Sequence, residues 1–236
     1  MRDITLIPGD GIGPEITEAV KAVFSAANVP VNWEEENAGQ TTFDSIGELI
    51  PSTLIASLKK NKVALKGPIT TPVGKGFKSI NVQLRQMFDL YSNVRPAKTT
   101  PGVNTRFDNV NLVLFRENTE GLYSGLEMFD ERLQISDSVA RLTRVGCRKI
   151  VRAAFEYANK HNCKKVTAVH KANILKSAGA LFLSEASEIA KEYPHIQYDD
   201  KIIDNMSMQL VIKPEQFVVI VTTNLFGDIL SGLCAG

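Results

Sequence analysis

The tightest constraint this chain places on its own fold is a repeated change of hydrophobic period. Short runs rich in β-branched residues are each followed by a longer stretch with apolar residues at helical spacing. The pattern is clearest late in the chain, where runs over 165–169, 197–203 and 217–221 precede helical stretches over 177–191, 205–212 and 225 onward. Strand–helix pairs of this kind build parallel sheets covered by helices, so the chain reads as α/β. The first half follows suit, with strands expected over 4–7, 31–35 and 62–66 and helices over 14–27, 52–60 and 79–88, the first with Pro14 in its first turn. Residues 93–99 are extended, as the Arg95-Pro96 step requires. An apolar strand over 110–116, a further strand over 133–139 and a long helix over 143–161 complete the reading. Segments 69–78 and 99–109 are loop-like in composition, and the second is where the chain is expected to cross between lobes.

Composition narrows the function classes. A chain of 236 residues with 44% hydrophobic and 22% charged content has material for one or two lobes of an ordinary globular protein. A net charge of +1 offers no reason to expect nucleic acid or an anionic membrane as partner. No apolar run approaches the roughly 18 residues of a membrane span. Three cysteines, Cys147, Cys163 and Cys234, are an odd number without metal-ligand spacing, which favours reduced thiols. Met1-Arg2-Asp3-Ile4 opens neither a signal nor a transit peptide, so a cytoplasmic location is the expectation. The sequence stops at Leu233-Cys234-Ala235-Gly236, inside a helical stretch, and further sequence is expected to belong to the fold.

The turn Gly9-Asp10-Gly11-Ile12-Gly13-Pro14 invites a dinucleotide-binding reading and fails on spacing, because the third glycine of G-x-G-x-x-G falls on Pro14. It is read as structural. More informative are Ser79, at a helix start, and Asn81 and Arg85, four apart on one face. A helix N-terminus with hydroxyl, amide and guanidinium groups can cradle a carboxylate; one cap and two solvated side chains would look the same. Arg95 and Arg116 lie at or near the ends of apolar strands, where α/β proteins place ligands, and converging arginines suit a polyanion. Surface salt bridging is the alternative for each. Tyr123 follows Arg116 by seven residues, after a polar turn, and could equally be a packed aromatic. Lys171 and Asn173 sit just past another strand end, where a lysine can act as acid or base or simply be solvated. His170 has no second histidine at ligand spacing and reads as structural. Asp204 and Asp228 each follow an apolar run; carboxylates from separate elements could hold Mg²⁺ or Mn²⁺, or serve as a helix cap and a dipole partner.

Six segments occur in the order and approximate spacing of one family. They are Ile7-Pro8-Gly9-Asp10-Gly11-Ile12-Gly13-Pro14-Glu15, Lys66-Gly67-Pro68, Asp89-Leu90-Tyr91-Ser92-Asn93-Val94-Arg95-Pro96, Arg116-Glu117-Asn118-Thr119-Glu120-Gly121, His170-Lys171-Ala172-Asn173 and Asn224-Leu225-Phe226-Gly227-Asp228-Ile229-Leu230-Ser231. With them the whole chain resembles the isocitrate/isopropylmalate dehydrogenases, metal-dependent β-decarboxylating enzymes whose two-lobed fold is not a Rossmann dinucleotide-binding fold. The resemblance implies a large domain of residues 1–99 with 225–236, and a small, dimerising domain of residues 100–224. The Ser79-x-Asn81-x-x-x-Arg85 helix resembles the isocitrate form, whereas isopropylmalate enzymes carry Glu and leucines there. Homoisocitrate dehydrogenase is the nearer competitor.

Carried over by this resemblance, Ser79, Asn81, Arg85, Arg95 and Arg116 would bind substrate carboxylates, and Thr70 would lie near the nicotinamide. Tyr123 would protonate the enol at C3. Lys171, which assists removal of the hydroxyl proton, would enter from a second subunit together with Asn173 and Asp204, implying a homodimer or larger assembly. Asp228 would be a metal ligand on the subunit that supplies the arginines. The cofactors implied are NAD, with NADP as the alternative, and Mg²⁺ or Mn²⁺. One departure stands out. Family members usually carry a second aspartate four residues after Asp228, where this chain has Gly232, which should weaken metal binding about ten- to a hundredfold. The same glycine leaves a non-catalytic regulatory subunit of this fold as an alternative. The family's adenosine-binding loop would lie beyond Gly236.

Overall fold

The computed structural model describes residues 1–70 and 79–235. The loop expected over 69–78 therefore falls, from residue 71, outside the described residues. The chain gathers into two compact units, Met1–Leu84 and Arg85–Gly236.

In the first unit, β1 (Arg2–Ile7), α1 (Gly13–Ala26), β2 (Val31–Glu35), α2 (Gln40–Ile46), α3 (Ser52–Asn61) and β3 (Ala64–Lys66) follow in order, and α4 (Ile80–Met87) begins there. The strands form a parallel sheet of order β2-β1-β3. Its small core joins Ile7, Ala38 and Leu54, with Ile50, Leu58 and Ile69 packed against them. The glycine-rich turn after β1 is structural for a visible reason. Asp10 N donates to Pro68 O at 2.9 Å and Gly67 N donates to Ile7 O at 2.7 Å, so two stretches of bare backbone lie against each other. A Cβ at Gly9, whose φ is 81°, would fall 1.8 Å from Pro68 O, and one at Gly67 would fall 2.1 Å from Pro8 O.

The second unit is built on a five-stranded sheet of order β4-β5-β10-β8-β9, made of β4 (Ser92–Lys98), β5 (Asn111–Glu117), β8 (Lys165–His170), β9 (Gln197–Ile202) and β10 (Val219–Thr222). All neighbours are parallel except β4, an antiparallel edge strand paired with β5 along its whole length. Alternation across the pleat divides its side chains between two cores. Val113, Phe115, Val166, Ala168, Val219 and Val221 face α5 (Arg144–Lys160) and α6 (Lys176–Ala190), meeting Ile150, Phe155, Phe182 and Ile189. Leu112, Leu114, Val169 and Ile220 face α7 (Ile203–Ile212) and α8 (Asn224–Ala235), meeting Met206, Leu210 and Leu230. Among the described residues, no helix is long and apolar enough to cross a membrane.

Three features go beyond what was expected. The strand expected over 133–139 is half of a hairpin, β6 (Glu127–Asp130) with β7 (Ile135–Ser138), whose residues are all exposed. Asp130 Oδ1 accepts from Leu133 N at 2.8 Å and Gln134 takes φ 53°, so the chain reverses just ahead of the expected strand and pairs it with β6. Helix α2 carries no local start signal; the Asp10 carboxylate, thirty residues back, accepts from the amides of Gln40 and Thr41 and from the Thr41 hydroxyl. By contacts, the second unit begins at Arg85, with β4 laced to β5 and α8 packed on β5.

The larger core makes a direct test. Phe155 is fully buried and stacks on Tyr193 at 5.4 Å between centroids. Phe155→Ala is expected to destabilise the protein by about 3–5 kcal/mol. A lowered urea midpoint with an unchanged slope would show it.

Candidate functional site

Four parallel strands end along one edge of the five-stranded sheet, the edge at which α/β folds hold ligands. Arg116 is the penultimate residue of β5, opposite Thr222 of β10; His170 ends β8; Asp204 lies in the first turn of α7. Asn224 opens α8, with Asp228 one turn further on. Strand β4 brings Asn93 opposite Arg116, and Arg95 opposite Leu114.

Arg116 organises this edge. Its side chain is 2% exposed, and a cation so placed needs acceptors. Nε donates to Asn224 Oδ1 at 2.9 Å, and Nη1 is ion-paired with Asp228. The guanidinium also lies over the Tyr123 ring, 5.2 Å from its centroid. Helix α8 admits the arginine because residue 227 is glycine: a Cβ there would meet Arg116 Cγ at 2.5 Å. The Tyr123 hydroxyl donates to the other Asp228 oxygen at 2.6 Å. Asn224 Nδ2 donates to Glu120 O at 3.1 Å and so holds the turn that carries Tyr123.

Arg95 Nε donates to Asn93 Oδ1 at 3.2 Å, and its Nη1 donates to the Ser231 hydroxyl. Ser231 in turn donates to Asp228 O at 2.8 Å. Arg85 joins the group through its charge. Burial, then repulsion by Arg116 and Arg95, lowers its guanidinium below the ordinary value, opposed by Asp228 and Tyr123. The three arginines expected from the sequence are therefore together, and among the described residues the only ion pair they make is Arg116 with Asp228.

The electrostatics of the Tyr123–Asp228 pair follow from the shared proton. The hydrogen bond from Tyr123, with help from Arg116 and Arg95, outweighs burial and holds the Asp228 carboxyl below its ordinary range. The same bond, then burial and the charge of Asp228, raises the Tyr123 phenol above 10.0, against Arg116. At neutral pH the pair is a phenol donating to a carboxylate.

Lys171 and Asp204 form a second group, an ion pair between the segment after β8 and the first turn of α7. Asn173 is exposed two residues beyond Lys171. This pair makes no hydrogen bond or ion pair with the arginine group among the described residues. Nor do the described residues gather three His, Cys, Asp or Glu side chains able to hold a metal. Asp204 and Asp228 are oxygen donors of the kind Mg²⁺ and Mn²⁺ take, so the donors fit the ion in kind, but they lie in separate groups of one chain. Space for another exists, since a Cβ at Gly232, one turn after Asp228, meets nothing within 4 Å.

In the first unit, Thr70 is exposed and its amide donates to Asp10 Oδ2 at 3.0 Å. Burial works to raise the Asp10 carboxyl, but hydrogen bonds from Thr41, Thr70 and Gln40 prevail and lower it. Ser79 O accepts from Gln83 N at 3.0 Å, so Ser79 stands at the start of α4; Asn81 Oδ1 on that helix is buried without a hydrogen-bond partner. Sequence reasoning had no role for Asn224, Ser231, Asn93 or Asp10. Spacing offered one signal: Asn224 and Ser231 stand four before and three after Asp228, on its helix face.

Known proteins resemble this chain in sequence and in fold. The isocitrate/isopropylmalate dehydrogenase family model matches residues 3–236. A mitochondrial regulatory subunit of NAD isocitrate dehydrogenase in Dictyostelium discoideum is 47% identical over the whole chain. A chloroplastic 3-isopropylmalate dehydrogenase of Solanum tuberosum is 47% identical over 98% of it. The chain spans 65% of the length of each of these relatives. The crystal structure of isocitrate dehydrogenase from Methylococcus capsulatus superposes with a TM-score of 0.96 at 52% identity, covering 100% of this chain and 70% of that one. These likenesses correct one expectation. Relatives this similar are named mitochondrial or chloroplastic, which overturns the cytoplasmic reading. That reading leaned on the opening residues and on reduced thiols, and reduced thiols are shared by more than one compartment.

Replacing Asp228 by Asn removes the charge and the strongest acceptor that hold the Tyr123 proton. The Tyr123 phenol is then expected to titrate at lower pH, nearer its ordinary value. Ultraviolet difference titration with Tyr123→Phe as reference measures the shift.

Proposed function

The chain belongs to the isocitrate/isopropylmalate dehydrogenase family, and from that premise we propose that it acts in the metal-dependent, NAD-linked oxidative decarboxylation of isocitrate to 2-oxoglutarate. The observation that carries the reading is the gathering of Arg85, Arg95 and Arg116 around one tyrosine–aspartate pair. Three guanidinium groups with a single carboxylate partner form a receptor for a polyanion, and bidentate arginine pairing suits carboxylates. A substrate with one carboxylate replaced by a branched alkyl group would leave part of this charge unused.

Each residue has a defined task in this reading. The arginines hold the carboxylates in a reactive pose. Lys171, ion-paired with Asp204, assists removal of the proton from the 2-hydroxyl. Tyr123, kept protonated by Asp228, delivers a proton to C3 after CO₂ has left. Ser79 and Asn81 as carboxylate ligands, and Thr70 and Asn173 at the cofactor, are assigned by family resemblance. Asp228 of one chain and Asp204 of a second would hold the divalent cation. When bound, NAD would accept hydride from C2 and the cation would act as the Lewis acid for the charge left by decarboxylation.

This division of labour makes the working unit a dimer. The β6–β7 ribbon supports that reading, since both its faces are exposed and Met128 and Phe129 are 63% and 60% exposed. A two-stranded ribbon of this kind is marginal alone and is stabilised by a covering partner. Gly232 favours a second reading, a non-catalytic subunit that binds the polyanion but holds the metal weakly. Two relatives, one named regulatory and the other catalytic, are both 47% identical to this chain.

Mixing the intact protein with isocitrate, NAD and Mn²⁺ is expected to produce NADH, and 3-isopropylmalate in its place is expected to produce little. Isocitrate binding without NADH formation would reject catalysis in favour of the second reading. Arg85→Ala is expected to weaken isocitrate binding about 10- to 100-fold, as loss of a charged hydrogen bond does, with the melting temperature unchanged. Gly232→Asp is expected to tighten Mn²⁺ binding about ten- to a hundredfold in a metal titration.

A further inference from the structure

We propose that His170, which makes no hydrogen bond or ion pair with the arginine group among the described residues, is the positioning residue for Lys171, an inference that rests on the role given to Lys171 above. His170 is the last residue of β8 and is 6% exposed. Both of its ring nitrogens are engaged. Nδ1 accepts from the Ala172 amide at 3.0 Å, and Nε2 lies 3.0 Å from Asp200 Oδ2 on β9. An imidazole that accepts at Nδ1 and faces a carboxylate at Nε2 carries its proton on Nε2, so the partners fix the neutral tautomer.

The consequence falls on the backbone. A strand that continued straight past residue 170 would carry the Ala172 amide away from the ring. The bond from Ala172 back to His170 instead folds the chain over the imidazole and leaves Lys171 at the bend. The rest of the turn closes from there, with Lys171 O accepting from Ile174 N at 3.0 Å and from Leu175 N at 2.8 Å. From the other side the turn rests on α6 at a position without a side chain: a Cβ at Gly179 would fall 2.5 Å from Ala172 Cα and 3.0 Å from its amide nitrogen. Ala172 is thus held between an acceptor and a glycine surface. Lys171 leaves this bend to reach Asp204. The ammonium is placed by a ring that need never touch the substrate, as outer partners place the ligands of a metal.

The test separates the two ring nitrogens in the intact protein. Asparagine can present an acceptor where Nδ1 stands and is too short to reach Asp200. Glutamine reaches Asp200 and leaves the Ala172 amide without its acceptor. Leucine offers neither. His170→Leu and His170→Gln are expected to lower kcat for isocitrate oxidation about 10- to 100-fold with KM for isocitrate little changed, and to speed hydrogen exchange at the Ala172 amide. His170→Asn is expected to retain most of kcat and the slow exchange. Gly179→Ala, which pushes Ala172 from the opposite face while keeping His170, is expected to lower kcat with KM unchanged. Melting curves establish that each variant is folded. If His170→Leu keeps both kcat and Ala172 protection, or if His170→Asn loses as much as His170→Leu, the proposal is overturned. Absence of turnover in the unmodified protein would reject the reaction, and the exchange measurement would still decide whether His170 holds the turn.

Discussion

One buried cation sets the terms for the carboxyl edge of the sheet. Arg116 lies almost entirely out of water at the end of a central strand, and an unpartnered charge there would be strongly destabilising. Its partners are all supplied by the first two turns of α8 and the turn after β5. Asn224 takes Nε, Asp228 takes Nη1, the Tyr123 ring lies beneath, and residue 227 is glycine so that the arginine stem can cross the helix. The network is cooperative in kind. Asn224 also anchors the turn bearing Tyr123, and Tyr123 shares the carboxylate that neutralises the arginine. The groups that would meet the substrate are therefore held in place by satisfying one guanidinium rather than by separate local devices.

Much of this was legible in the residues. The alternation of strand and helix periods located nearly every element of the second unit, because strands buried on both faces are continuous apolar runs and α5 has an apolar stripe at helical spacing. Arg95, Arg116, Lys171 and the two aspartates stood out by their position at or after apolar runs, Arg85 by sharing a helix face with Asn81, and Tyr123 by following Arg116 after a polar turn. What escaped was whatever depends on a partner distant in sequence. Helix α2 is started by Asp10 rather than by its own first residues, and the sequence Gln40-Thr41-Thr42-Phe43 gives no sign of it. Asn224 reads as an ordinary helix-opening residue until Arg116 is seen beside it. The β6–β7 reversal is a local turn, but its polar strands lack the apolar alternation by which strands are recognised.

The separation of Lys171 and Asp204 from the arginine group gives the single chain an unfinished character. Each group is internally neutral in part and well bonded, so neither requires the other in order to fold. A reaction that needs both must bring together surfaces that are stable apart. On the proposed division of labour, activity would be a property of assembly, and a chain altered at one group could still serve a partner whose other group is intact. Gly232 belongs in this light. On the proposed reading it would weaken the donor set on the arginine side and leave Lys171 and Asp204 untouched.

The contact of Gly9 and Gly67 with the backbone around Pro8 and Pro68 has a consequence for how the first unit comes into being. The turn that follows β1 is synthesised well before its partner, since the amide at Asp10 finds its acceptor on Pro68. The third strand of that sheet, residues 64–66, is made just ahead of this acceptor. Strand β1 can meet β2 before then, but its turn lacks its acceptor until Pro68 is made, and closing so long a loop carries an entropic penalty of its own. The last side of β1 is covered only when residues 64–66 arrive, so the sheet is completed from its latest strand.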